Sequence, residues 1–140
     1  MNPEEKPIVP AISATPPVPV ASPKPRIAYD DFAKVEMKVG KILSVEPIPK
    51  SEKLLKLSVD FAETGADGVR TPRTILSGIA KYFADPQALV GRRCMFVTNL
   101  EPRPMMGLES NGMILALSTD DGKFSLLEPN ADIPEGTKAR

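Results

Sequence analysis

The sequence predicts an all-β protein: a small closed barrel with one short helix between its third and fourth strands. Three observations predict it. Runs of apolar and β-branched residues are short and are broken by Gly, Pro or Asn at intervals of about 10–15 residues. Helical patterning is confined to two brief stretches. A length of 140 residues gives room for one core-building domain, large enough to fold without disulfide or metal support.

The elements follow in order. Eight of the sixteen prolines fall before Arg26, in Pro-Ile-Val-Pro, Thr-Pro-Pro-Val-Pro-Val and Ser-Pro-Lys-Pro. Proline fixes φ and lacks an amide donor, so residues 1–27 are expected to be a disordered, proline-rich linker of polyproline II character. Pro16-Pro17-Val18-Pro19 also fits a PxxP ligand pattern. The domain is expected to occupy residues 28–140. A linker joins two things, which suggests a module separated from a larger neighbour. Tyr29 to Val35 reads as one helical turn capped by Asp30 or Asp31.

Residues 39–46 form a strand by composition, closed by Pro47. Leu55, Leu57, Val59 and Phe61 alternate with Lys56, Ser58 and Asp60, a strand apolar on one side and wet on the other. Residues 74–77 are a third strand. Residues 81–89, with Pro86 placed for a first helical position, read as a connecting helix ending at Gly91. Residues 93–98 and 112–117 are apolar at successive positions and are expected to be central strands, buried on both faces. Residues 123–127 form a short final strand after the turn Thr119-Asp120-Asp121-Gly122, a small C-terminal appendage. This order suits a five-stranded oligonucleotide/oligosaccharide-binding (OB) barrel. A small sandwich would give much the same pattern.

Composition closes many functional routes. With no histidine there is no Ser-His-Asp or Cys-His pair and no histidine metal ligand. The single cysteine, Cys94, is expected in the core; it excludes thiolate zinc sites and an internal disulfide, and points to a reducing, cytoplasmic setting. The acidic start Met1-Asn2-Pro3-Glu4-Glu5 does not look like a signal peptide, and no membrane partner is expected. Gly40-Lys41 lacks the upstream glycine of a phosphate loop. Neither catalytic residues nor a cofactor nor a metal is expected. Net charge is formally zero, yet residues 34–103 carry twelve Lys or Arg against eight Asp or Glu, while residues 104–140 carry three against six. A local basic face is compatible with that sum.

Several segments resemble one family. Asp30-Asp31-Phe32-Ala33-Lys34-Val35-Glu36-Met37-Lys38-Val39-Gly40-Lys41-Ile42 is similar to the opening of the tRNA-binding domain shared by bacterial methionyl-tRNA synthetases, free-standing tRNA-binding proteins and endothelial monocyte-activating polypeptide. Ser51-Glu52-Lys53-Leu54 and Ile75-Leu76-Ser77-Gly78-Ile79 resemble two further family segments. Asn99-Leu100-Glu101-Pro102-Arg103, then Gly107, Ser110, Gly112 and Met113, resembles its Asn-Leu-x-Pro…Gly-x-x-Ser-x-Gly-Met signature. The match runs from about Tyr29 to the C-terminus with the pieces in family order.

The resemblance implies an OB fold that grips the outer corner of tRNA by shape and backbone, without a catalytic site of its own. It implies a second copy as homodimer partner and a methionyl-tRNA synthetase catalytic subunit as a further one. It implies no DNA partner. The tRNA-binding residues it points to are Lys38, Lys41, Lys53, Arg73, Asn99, Arg103, Ser110 and Met113. Asn99 and Ser110 can bond sugar or phosphate, or hold a turn through their own backbone. Met113 can pack on a ribose or sit in the core. Arg103-Pro104-Met105-Met106-Gly107 has one cation where the family usually carries two. A peptide-binding module of the same fold, resembling a secretion-linked chaperone, is the competing reading.

Overall fold

The computed structural model describes residues 23–140. The expected linker therefore lies outside the described residues as far as Ser22, with its PxxP pattern; residues 23–27 are exposed and belong to no helix or strand. A four-residue helix, α1 (Tyr29–Phe32), comes first. Its N-cap is Ala28, with no side-chain cap, so neither Asp30 nor Asp31 takes the expected capping role. Both lie inside the first turn, where a carboxylate favours the positive end of the helix dipole.

Alternation then builds the barrel. In β2 (Leu55–Asp60) Leu55, Leu57 and Val59 are buried and Lys56 and Ser58 half-exposed, but Asp60, expected on the wet side, is buried with Arg70 donating to it. β1 (Met37–Pro47) pairs antiparallel with β2 along its C-terminal half and with β4 (Arg93–Val97) along its N-terminal half. A register shift between Ile42 and Ser44 bends it from one partner to the other. β3 (Arg73–Ser77) extends beyond β2, and β7 (Met113–Ile114) extends beyond β4, giving the order β3-β2-β1-β4-β7. The amide of Asn111 donates to Thr74 O at 2.8 Å and the amide of Leu76 to the Ser110 hydroxyl at 3.0 Å, bringing the two ends of the sheet together. The result is a nearly closed five-stranded antiparallel barrel of the OB type.

Ile42, Leu57, Val59, Ile75, Cys94 and Phe96 fill the barrel, with the rings of Phe61 and Phe96 edge to face at 5.2 Å. A Cβ on Gly40 would stand 2.5 Å from both the Phe61 and Val59 side chains, so only glycine lets β1 cross this close. Burial raises the Cys94 thiol to about 12, leaving it a core side chain.

Three expectations are corrected. The connecting helix is two 3-10 turns, Ala80–Tyr82 and Pro86–Leu89, with Phe83 and Asp85 extended between them. Pro86 disfavours helical geometry at the preceding residue, so one helix cannot run through; Asp85 instead caps the second turn by accepting from the Gln87 amide at 3.1 Å. Residues 112–117 are not one strand buried on both faces. β7 and β8 (Ala116–Ser118) are separate, and Met113 and Leu117 are about half exposed. Finally, residues 103–110, which carry no strand pattern, form a hairpin of β5 (Arg103–Met105) and β6 (Leu108–Ser110). Met106 and Gly107 turn it with φ of 52° and 78°, the left-handed pair of a type I′ hairpin loop. Pro104 faces Glu109, the pair beyond the turn-closing one, where an antiparallel ladder needs no amide donor.

β9 (Phe124–Leu126) pairs with β8 as the expected appendage. The C-terminal segment then lies along β1: Gly136 N donates to Val39 O at 2.7 Å, Val39 N to Thr137 O at 2.9 Å and Ala139 N to Met37 O at 2.8 Å. No helix among the described residues is long and apolar enough to cross a membrane.

Candidate nucleic-acid interface

The outward residues of β2 and β3 define a half-exposed face, within which Leu76 is buried. Register sets Lys56 opposite Leu76 and Ser58 opposite Thr74, on one side of the sheet. The β5–β6 hairpin packs beside this face. Ser110 is buried and accepts from the Leu76 amide, while its hydroxyl donates to Gly112 O at 3.3 Å. Arg103 is its cross-strand partner, so both side chains leave the hairpin on the same side. Arg103, Ser110 and Met113 meet around a pocket of about 130 Å³ that Leu76, Leu100 and Met105 help to line. Beside it opens a cleft of about 770 Å³ walled by Lys56, Glu63, Arg73, Thr74, Glu109 and Asn111.

The eight residues singled out from the sequence are not gathered into one stripe. Arg103, Ser110 and Met113 come together. Arg73, in the adjoining cleft, holds Glu63 with two hydrogen bonds, Nε to Oε1 at 2.8 Å and Nη2 to Oε2 at 2.6 Å. Its Nη1 donates to Thr98 O at 2.6 Å and Asn111 O at 3.5 Å. The paired guanidinium lowers the Glu63 carboxyl below the usual range, and Glu63 raises Arg73. Lys38 lies by the same cluster, its ammonium 3.6 Å from Glu36, whose carboxylate also accepts from the Thr98 hydroxyl at 2.6 Å. That hydroxyl bond is the chief reason the Glu36 carboxyl is lowered. Asn99 ties the approach to β1 onto the end of β4, accepting from Glu36 N at 2.8 Å and donating to Lys34 O at 2.5 Å.

Lys41 is half-buried on β1, in register with Asp60 and Arg93, on the wall where Arg93 and Arg70 pair with Glu135. Lys53 is exposed in the β1–β2 loop, and its carbonyl accepts from Ala80 N at 3.0 Å. Among the described residues, the ion pairs of the surface involve neither Arg103, Lys53 nor Lys41. Two residues near these side chains were not singled out. Lys81 follows Ala80 beside Lys53 and lies over the Tyr82 ring at 5.1 Å, and Asn111 presents its carbonyl to Arg73. Lys81 carries no sequence signal, since only the Ala80–Lys53 contact brings it there; Asn111 could have been found from its place in the Ser-x-Gly-Met stretch.

Comparison with known proteins adds three findings. The family described as "Putative tRNA binding domain" matches residues 37–138. The chain is 49% identical over 116 residues to methionine–tRNA ligase of Methanospirillum hungatei, covering 83% of this chain and 16% of that ligase. The chain thus spans about a sixth of that relative's length. Among solved structures, a MetRS related protein from Pyrococcus horikoshii superposes with a TM-score of 0.71 at 36% identity, covering 84% of this chain and all of that one. The chaperone CsaA from Bacillus anthracis superposes with a TM-score of 0.67 at 26% identity, covering 83% and 100%.

Proposed function

Because this chain belongs to the tRNA-binding domain family, we propose that it is an accessory module that holds tRNA on its β2–β3 face and works in the cytoplasm for a methionyl-tRNA synthetase. On this reading residues 28–140 are the binding domain and residues 1–27 its linker, with no catalytic site in the chain. The observation that supports it most directly is Arg103: exposed, outside every ion pair among the described residues, and set by the hairpin above Ser110 and Met113. An uncommitted guanidinium forks onto phosphate oxygens, while the half-exposed Met113 side chain beside it offers an apolar surface to ribose. Lys53 and Lys41 contribute to the field; Lys38, Arg73, Asn99 and Ser110 lie close enough to shape the site they were expected to contact.

Filter binding of total tRNA over a salt series tests this. Binding that weakens steeply with salt supports it, and retention indifferent to Arg103→Glu removes the site assignment.

Homodimerisation belongs to the same proposal. Tyr29, Phe32, Val35, Met37 and Ala139 line an apolar hollow of about 310 Å³ beside the C-terminal segment. Tyr29 is 78% exposed and Phe32 46%, which is costly for a helix with water as its only partner. A second copy covering this hollow would double the tRNA contacts and make the second one effectively intramolecular. Phe32→Glu should then halve the mass in solution and weaken tRNA retention together.

The peptide-binding reading rests on the likeness to a chaperone and on Leu100, Met106 and Met113, each close to half exposed around Arg103. Retention of unfolded peptides with no tRNA shift in a gel would decide for it.

A further inference from the structure

We propose that Arg73 is a positioning residue for RNA binding, acting by clamping both feet of the segment that carries Arg103. The inference rests on the tRNA reading and deepens it. Residues 98–111 leave the barrel after β4, form the β5–β6 hairpin and return at β7. The carbonyl of Thr98 is one foot of that segment and the carbonyl of Asn111 the other. A single nitrogen, Nη1 of Arg73, donates to both, at 2.6 and 3.5 Å.

The fork is itself held from the opposite side. Glu63, in the β2–β3 loop, takes Nε and Nη2 at 2.8 and 2.6 Å, and the guanidinium carbon stands 5.3 Å from the centre of the buried Phe61 ring. Four of the five guanidinium N–H groups are thereby engaged inside the protein, leaving one for any ligand. The side chain is only 16% exposed. Arg73 borders the RNA face with no pair of N–H groups left to fork onto a phosphate. What it controls is the spacing of the hairpin's feet, and so where Arg103, Ser110 and Met113 stand over Leu76.

The sign of one substitution separates this from a direct contact. Glu63→Gln removes a carboxylate from the RNA face. If Arg73 touched phosphate, that change would release the guanidinium and tighten binding. If Arg73 positions the hairpin, Glu63→Gln loosens the fork and weakens binding, although the surface has become more positive.

Filter binding of total tRNA over a salt series reads this on the whole chain, for the wild type, Glu63→Gln and Arg73→Met. Protein concentrations are normalised to the folded fraction by circular dichroism. Both variants should bind about tenfold more weakly, a 1.4 kcal/mol change, with the salt slope of Arg73→Met equal to that of the wild type. Binding by folded Glu63→Gln that tightens or stays unchanged overturns the proposal, the latter showing a merely structural role. So does a slope for Arg73→Met lower by about 0.7–0.9, the loss of one phosphate contact. If Arg73→Met does not fold, Glu63→Gln decides alone. A wild type that retains no tRNA removes both this inference and the reading beneath it, whereas a binding wild type with a tightened Glu63→Gln removes only this one.

Discussion

Two guanidinium groups in adjoining pockets of one face meet opposite fates. Arg73 opens β3, is mostly buried, and spends its donors on Glu63 and on the carbonyls of Thr98 and Asn111. Arg103 opens β5, is exposed, and belongs to none of the ion pairs among the described residues. The residue type is the same; the difference is what surrounds it. A cation at the seam between β3 and the β4–β5 connection lies within reach of two loop carbonyls and a carboxylate, all of which need a donor. A cation on an outlying hairpin finds mainly apolar neighbours. Counting basic residues along a chain therefore overstates the charge that a ligand feels, because paired cations hold the fold rather than face outward.

The comparison can be broken by substitution. Arg73→Met should cost about 2–3 kcal/mol, since it strands a carboxylate and two carbonyls that lose their donor, and thermal melting should fall by about 10 °C. Arg103→Met should leave melting within about 0.5 kcal/mol of the wild type. Equal losses at the two sites would erase the distinction. In binding the two sites part on salt dependence, since Arg73→Met keeps the wild-type slope. Arg103→Glu should weaken tRNA retention by about tenfold or more and flatten the salt slope by about one unit, as filter binding over a salt series would show.

Acid probes the committed cluster selectively. Glu36 and Glu63 are held below the usual carboxylate range, Glu36 chiefly by the Thr98 hydroxyl and Glu63 chiefly by Arg73. A lowered folded-state value means that the unfolded chain binds protons first. The stability these groups supply is therefore present above about pH 4.5 and is lost as the pH falls through the lowered values. Melting temperatures followed down from neutral pH should decline below that point, and Glu63→Gln should make the decline shallower.

The smallest expected effect concerns the turn of the hairpin. Met106 has φ of 52° and is 49% exposed, a conformation that suits Asn better than Met. Met106→Asn should stabilise the protein by about 0.5–1 kcal/mol in denaturant titration. No gain there would mean that the methionine makes a compensating contact within the chain.

The barrel strands were legible because their pattern is local. Alternation in Leu55, Leu57 and Val59 declares a half-buried strand whatever lies beyond it, and Pro47 ends its predecessor without reference to tertiary contacts. The β5–β6 hairpin was not legible. Pro104 and the Met106-Gly107 pair read as a loop, and only the packing against β3, with Ser110 bonded to the Leu76 amide, makes residues 103–110 a ladder. The connecting helix failed on a nearer cue, because Pro86 restrains Asp85 and so divides the segment into two 3-10 turns.

Taken alone, the amino-acid order determined strands β1 to β4, the burial of Cys94, the lack of histidine chemistry and the family motifs carrying Arg103, Ser110 and Met113. Only the tertiary structure decided which cations are spoken for. Pairing depends on groups far apart in the chain, Arg73 with Glu63, Thr98 and Asn111, and Asn99 with Glu36. A linear pattern records which residues carry charge; the folded neighbourhood sets whether that charge meets a carboxylate or open water.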